Sequence, residues 1–207
     1  MERVKEILKI LEREYPDARV TLNFSNPLEL LVATILAAQC TDERVNQVTK
    51  ELFMKYRNAE DYARADLREL EEDIRPTGFF KNKARNLVGC CQRLVEEYKG
   101  QVPQTLEELT KLPGVGRKTA NIVLGNAFGR PAIAVDTHVG RVANRLGLAY
   151  SEDPEEIEHQ LCQVIPREKW SFATHLLVFH GRHFCKARNP LCLQCPLRDL
   201  CPWEGKP

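Results

Sequence analysis

Apolar side chains along this chain recur at steps of three and four residues, the spacing that lines one face of an α-helix. The opening MERVKEILKILEREY shows it, alternating charged and apolar groups at helical period. Asn26, Pro27 and Glu29 combine an N-cap, a first-turn proline and a capping-box acid at the start of the apolar run LELLVATILAA. Asp42 is the expected cap of the next helix, in which Val45, Val48, Leu52 and Tyr56 make one stripe. Short helices are expected around Glu60 to Arg64 and Asp66 to Ile74. In KNKARNLVGCCQRLVEEYKG the stripe is Leu87, Cys91, Leu94 and Tyr98, and Gly100 is the stop. Thr105 and Glu108 form another capping box before a short helix that ends at LPGVG, and Asp153, Pro154 and Glu156 repeat the cap, proline and acid pattern. Lys169 to Gly181 is a further amphipathic segment. Only AIAV, Ala132 to Val135, reads as a strand, and one isolated strand builds no sheet. The pattern predicts an all-α fold of helices joined by short connections.

Composition adds limits rather than detail. The 207 residues are 43% hydrophobic, which suits one sizeable domain or two small lobes packed together. No apolar run approaches the roughly 18 residues of a membrane span, and the first residues lack an export signal's apolar stretch. No membrane partner and an intracellular, cytoplasmic location are therefore expected. The net charge of +1 decides nothing about a polyanionic partner, but its distribution is uneven. Seven acids face three bases between Asn58 and Pro76, and seven bases face three acids between Arg167 and Pro207. Such runs fit solvated helix faces as well as a surface turned toward DNA.

The eight cysteines carry more chemistry. Cys185, Cys192, Cys195 and Cys201 have six, two and five residues between neighbours. Four thiols this close in an intracellular chain suit a metal rather than disulfides. Tetrahedral zinc accepts four thiolates, although zinc ribbons usually pair two CxxC knuckles and only one is present. An iron-sulfur cluster tolerates such unequal loops. His175, His180 and His183 crowd the segment just before and allow a mixed ligand set. Cys90, Cys91 and Cys162 read as small core groups, while Cys40 sits among polar neighbours.

LPGVGRKTANIV, Leu112 to Val123, sets two glycines one residue apart at the start of a helix. A glycine turn lets backbone N–H groups approach an anion, and the helix N-terminus adds partial positive charge. A DNA phosphate meets that requirement without reading sequence. The same PGVG would also serve as a plain helix-to-helix turn.

LPGVGRKTA, VDTHVGRVANRLGL, AAQCTD and the cysteine quartet together resemble the endonuclease III family of DNA glycosylases, in the helix-hairpin-helix superfamily. The likeness runs over essentially the whole chain. It implies a 4Fe-4S cluster on Cys185, Cys192, Cys195 and Cys201. It also implies a six-helix barrel lobe over residues 21–130, with the hairpin at about 105–128, and a cluster lobe made of residues 1–20 and 131–207.

The resemblance further implies that Lys118 is the catalytic nucleophile. A lysine amine attacks only when neutral, and a free one near pKa ~10.4 is almost wholly protonated at pH 7. The neutral amine attacks C1′ of the deoxyribose, expels the damaged base and leaves a Schiff base, from which β-elimination breaks the strand. Asp136 matches the family's catalytic aspartate, stabilising charge on the sugar and moving protons; it is also placed to cap the helix that follows. His138, two residues on, reads as helix-start polarity. Leu112, Gly114, Val115 and Gly116 form the DNA-binding hairpin. Gln39 aligns with the glutamine that fills the gap left by an everted nucleotide. Phe79 stands where relatives often carry a leucine wedge, and an aromatic there can stack between bases for ~1 to 3 kcal/mol. Lys81 and Lys83, and Arg182 and Lys186 beside the first cluster cysteine, are expected at phosphates. The implied activity is removal of oxidised or ring-saturated pyrimidines from damaged double-stranded DNA by a monomer, nucleoid-associated in a prokaryote, with downstream base-excision-repair enzymes as possible partners. A thymine or uracil mismatch glycosylase on the same scaffold, or a non-catalytic DNA-binding module, are the alternatives.

Overall fold

A computed structural model describes residues 2–206, and among them it contains eleven α-helices and no strand. The chain is all-α. It divides into two compact units, Met1–Val20 with Arg130–Pro207 and, between them in sequence, Thr21–Gly129.

The Thr21–Gly129 unit holds α2 (Pro27–Leu36), α3 (Asp42–Lys55), α4 (Ala59–Ala63), α5 (Leu67–Asp73), α6 (Phe80–Tyr98), α7 (Leu106–Leu109) and α8 (Arg117–Ala127). Its centre is α2, in which every residue from Leu30 to Leu36 is buried. A helix apolar on all sides belongs inside, and each of its buried leucines contributes about 2 kcal/mol. Helices α3, α6 and α8 pack against it. Asn26 caps α2 by accepting the Glu29 N–H at 3.0 Å, and Glu29 reaches back to the Ser25 N–H at 2.6 Å. The cap of α3 is Thr41, whose Oγ1 accepts the Arg44 N–H at 3.3 Å. Asp42, expected in that role, is instead the first helical residue and accepts a hydrogen bond from the Thr21 hydroxyl. The chain leaves α6 through Lys99 and Gly100, both left-handed.

The second unit packs α1 (Glu2–Glu14), α9 (Thr137–Arg145), α10 (Pro154–Val164) and α11 (Trp170–His183) around Ile7, Leu8, Leu11, Val139, Val142, Leu161, Leu176 and Leu177. AIAV forms no strand; Ala132 to Val135 is buried, non-helical chain leading into α9. Helix α11 runs two residues past the expected Gly181. Gly181 allows a close crossing, because a Cβ there would lie 3.0 Å from the His138 Cβ on α9.

Candidate DNA-processing site and cluster pocket

Thr105 opens the hairpin, accepting the Glu108 N–H at 3.3 Å and donating its hydroxyl to Glu108 Oε2 at 2.7 Å. After α7 the chain turns through residues 110–116 into α8. Leu112 and Val115 are buried, 2% and 4% exposed, so in this conformation they anchor the turn and leave only its backbone for a ligand. Gly114 has φ 76, and a Cβ there would meet the Asn86 Cβ at 2.8 Å. Gly116 differs. It is the N-cap of α8, with φ −87 and no side-chain capping bond, and a Cβ on it would meet nothing within 4 Å. Space is therefore open beside the N-cap of α8, where the helix end favours an anion. Lys118, the second residue of α8, is exposed beside that position.

Two neighbouring loops in the same unit carry strained backbone. Gln39, just past α2, has φ 54 and is exposed. Phe79, which precedes α6, has φ 49 and is 67% exposed, an arrangement that costs in both backbone and hydration. Non-glycine residues in this region carry about 1 kcal/mol or more each. Lys81 is exposed. Lys83 is not the phosphate contact expected of it: it is 4% exposed, and its Nζ donates to Leu36 O and Thr77 O, both at 2.8 Å. Helical phase explains the difference, since Lys83 lies on the face that turns Ala84 and Leu87 inward. Burial pushes its amine pKa down, with Cys40 opposing.

In the other unit Asp136 caps α9, its Oδ1 accepting the Val139 N–H at 2.7 Å. His138 Nδ1 lies 3.1 Å from Arg141 Nη2. Arg141 also donates to Gly181 O and Cys185 O, at 3.1 and 2.9 Å, tying α9 to α11 and to the loop beyond it. Burial lowers the His138 pKa, Asp136 opposes, and Arg141 and Arg182 add to the lowering. Arg182 and Lys186 are exposed.

Cys185, Cys192, Cys195 and Cys201 line one pocket with Arg145, His180, Phe184, Arg198, Trp203 and Lys206. Among the described residues no three His, Cys, Asp or Glu side chains are gathered closely enough to share a single metal ion. A polynuclear cluster gives each iron its own thiolate, so its ligands stand further apart than those of one ion. The surroundings fit an anionic group. Arg145 Nη1 is 3.5 Å from Cys185 Sγ and donates to Lys186 O at 2.8 Å, while its guanidinium lies 4.0 Å over the Trp203 ring. Buried His180 lies between the Tyr15 hydroxyl, 3.4 Å from Nδ1, and Cys195 Sγ, 3.5 Å from Nε2. Burial, helped by His183, holds its pKa down to about 4, so the ring is neutral at pH 7.

A family model described as "HhH-GPD superfamily base excision DNA repair protein" matches residues 32–167. A second, "Iron-sulfur binding domain of endonuclease III", matches residues 185–201. The chain is 53% identical to the endonuclease III of Synechocystis sp., over 97% of this chain and 92% of that one. It belongs to the endonuclease III family. A solved endonuclease III, trapped as a covalent intermediate with DNA, matches with TM-score 0.92 and 50% identity over 97% of this chain and 95% of its own. A thermostable thymine-DNA glycosylase matches with TM-score 0.89 and 25% identity over 98% and 96%.

As in its family, the chain carries an iron-sulfur binding domain, and its cofactor is a 4Fe-4S cluster. Sequence reasoning missed Arg141 and Arg145, which reach the 185–187 loop from α9. Their four-residue spacing, which places both on one helical face, was the available signal. His180 lines the cluster pocket; His175 and His183 do not.

Proposed function

We infer that this chain is a bifunctional DNA glycosylase and AP lyase that removes oxidised pyrimidines from duplex DNA. The observation that carries the reading is the open N-terminus of α8 at Gly116 with Lys118 exposed in its first turn. A phosphate held by the N–H groups of that turn brings the strand to the amine. Gln39 and Phe79 enter the duplex, the first meeting the orphaned base and the second stacking where the lesion stood. The neutral Nζ of Lys118 attacks C1′, and the base leaves with the C1′–N bond electrons and gains a proton. Nζ then sheds a proton, the C1′–O4′ bond breaks with its electrons and a proton going to O4′, and the ring-opened iminium acidifies C2′–H. Loss of that C2′ proton expels the 3′ phosphate, and water then hydrolyses the C1′=N bond, freeing Lys118 and leaving an unsaturated aldehyde on the 3′ end of the nick, which the next repair enzyme must remove.

Asp136 stabilises the sugar cation and accepts and returns protons. Its cap to Val139 orients the carboxylate through Oδ1, which leaves Oδ2 to face the substrate. Cys185, Cys192, Cys195 and Cys201 hold the cluster, which when bound ties the 185–201 loop into one rigid piece. That loop presents Lys186, with Arg182 just before it, to the phosphate backbone. We assign the Thr21–Gly129 unit as the barrel lobe, the remainder as the cluster lobe, and the working form as a cytoplasmic monomer on DNA.

Borohydride trapping tests the reading. Wild type should form a covalent adduct with DNA bearing one oxidised pyrimidine, and Lys118→Gln should form none. An adduct retained in Lys118→Gln removes the lysine from its role. A panel of single-lesion duplexes, scored separately for base release and nicking, separates pyrimidine excision from mismatch thymine removal.

A further inference from the structure

Lys83 is 4% exposed, and burying its amine is costly unless the group is fully bonded. Its contacts converge on two segments. Nζ donates to Leu36 O, at the last residue of α2, and to Thr77 O, while the Lys83 backbone N–H donates to Phe79 O at 3.1 Å. The carbonyl end of α2 carries partial negative charge, which suits an amine there. Three residues beyond Leu36 comes Gln39 at φ 54; two beyond Thr77 comes Phe79 at φ 49, reached through Gly78 at φ 69 and ψ 160. These angles are unfavourable for free chain, and Gly78 sits in a region open essentially to glycine alone. Such loops keep their form only when something else holds them. A methionine would fill the space of the lysine stem but bond neither carbonyl.

We propose that Lys83 is a positioning residue for nucleotide eversion: by bridging Leu36 O to Thr77 O it fixes the two loops that carry Gln39 and Phe79, so that both side chains enter the duplex together. The inference rests on reading Gln39 and Phe79 as the gap-filling pair.

The test uses the cluster-bearing protein and two substrates, a duplex with one oxidised pyrimidine and a single-stranded oligonucleotide with an AP site, where no stacked duplex has to be entered. In Lys83→Met, single-turnover excision from the duplex should fall roughly 10²-fold, the effect of a small misplacement, with single-strand AP lyase kept within about twofold. A 2-aminopurine opposite the lesion should lose most of its fluorescence rise. Adding Lys83→Met to a Gln39→Ala, Phe79→Ala variant should slow duplex excision little further, because the groups it positions are gone. Undiminished duplex excision in Lys83→Met, or an equal loss on both substrates, overturns the proposal. If Lys83→Met does not fold, Lys83→Gln, which keeps N–H donors on a shorter stem, goes through the same comparison. Unchanged duplex excision in Gln39→Ala and Phe79→Ala would overturn the gap-filling reading itself, and this inference with it.

Discussion

Gly114 and Gly116 are glycine for different reasons, and alanine at each position separates them. At Gly114 an alanine must hold φ near 76, which costs about 1–2 kcal/mol. Its methyl would also lie 2.8 Å from the Asn86 Cβ, an atom fixed to the α6 backbone, and such overpacking adds about 1–3 kcal/mol. Gly114→Ala should therefore destabilise the fold by about 2–5 kcal/mol. At Gly116 the backbone suits any residue and the methyl meets no protein atom within 4 Å. The unfolded chain's reduced freedom and alanine's poorer capping roughly cancel, leaving stability within about 0.5 kcal/mol. Yet that methyl takes up open space beside the α8 N-cap, where the proposed phosphate approaches. Losing one charge-assisted bond to a phosphate costs about 1.5–3 kcal/mol, or about 10- to 150-fold in Kd. Urea midpoints measure the first effect. Anisotropy with a duplex carrying an AP-site analogue, at one fixed salt concentration, measures the second. A Gly116→Ala protein with wild-type Kd would refute the phosphate cradle, and a Gly114→Ala protein with the wild-type midpoint would refute the packing argument.

Asp136→Asn should keep the α9 cap, because asparagine accepts the Val139 N–H as aspartate does, while excision collapses; Asp136→Ala should also lose about 1 kcal/mol in urea. Burial holds the His175 pKa down to about 4, against 6.5 unperturbed. The unfolded chain then binds more protons between those values, so stability is unaffected above pH 6.5 and falls below it, by up to about 3 kcal/mol once pH reaches 4. His175→Gln should flatten that part of the curve of urea midpoint against pH, and an unchanged slope would show that the ring titrates freely. Purified protein should be brown and hold about four irons per chain. Cys192→Ser should lose most of them, and zinc without iron in anaerobic material would contradict the cysteine assignment.

The helical fold was legible because its signals are local. Caps at Asn26, Thr105 and Asp153 involve residues two or three apart, and the apolar stripes need only the helical period. The cysteine spacing and the glycine hairpin were legible for the same reason: each is a short run whose chemistry follows from residue type and separation. Where two candidates stood side by side, as with Thr41 and Asp42, spacing could not choose the cap, and the bond from the Thr21 hydroxyl to Asp42 came from another segment.

What only the tertiary structure decided depends on partners distant along the chain. Lys81 and Lys83 read alike as phosphate-facing lysines at the start of one helix, but one is exposed while the other crosses to Leu36, 47 positions away. Arg145 and His180 reach the cysteine pocket across separations of 40 and 15 residues, which no short pattern encodes. The left-handed backbone at Gln39 and Phe79 goes against the preference of both residue types, so it too had to come from packing. Local sequence chose the helices and the reactive groups, and burial, which sums over the whole fold, chose which of those groups meet solvent and which are spent holding loops in place.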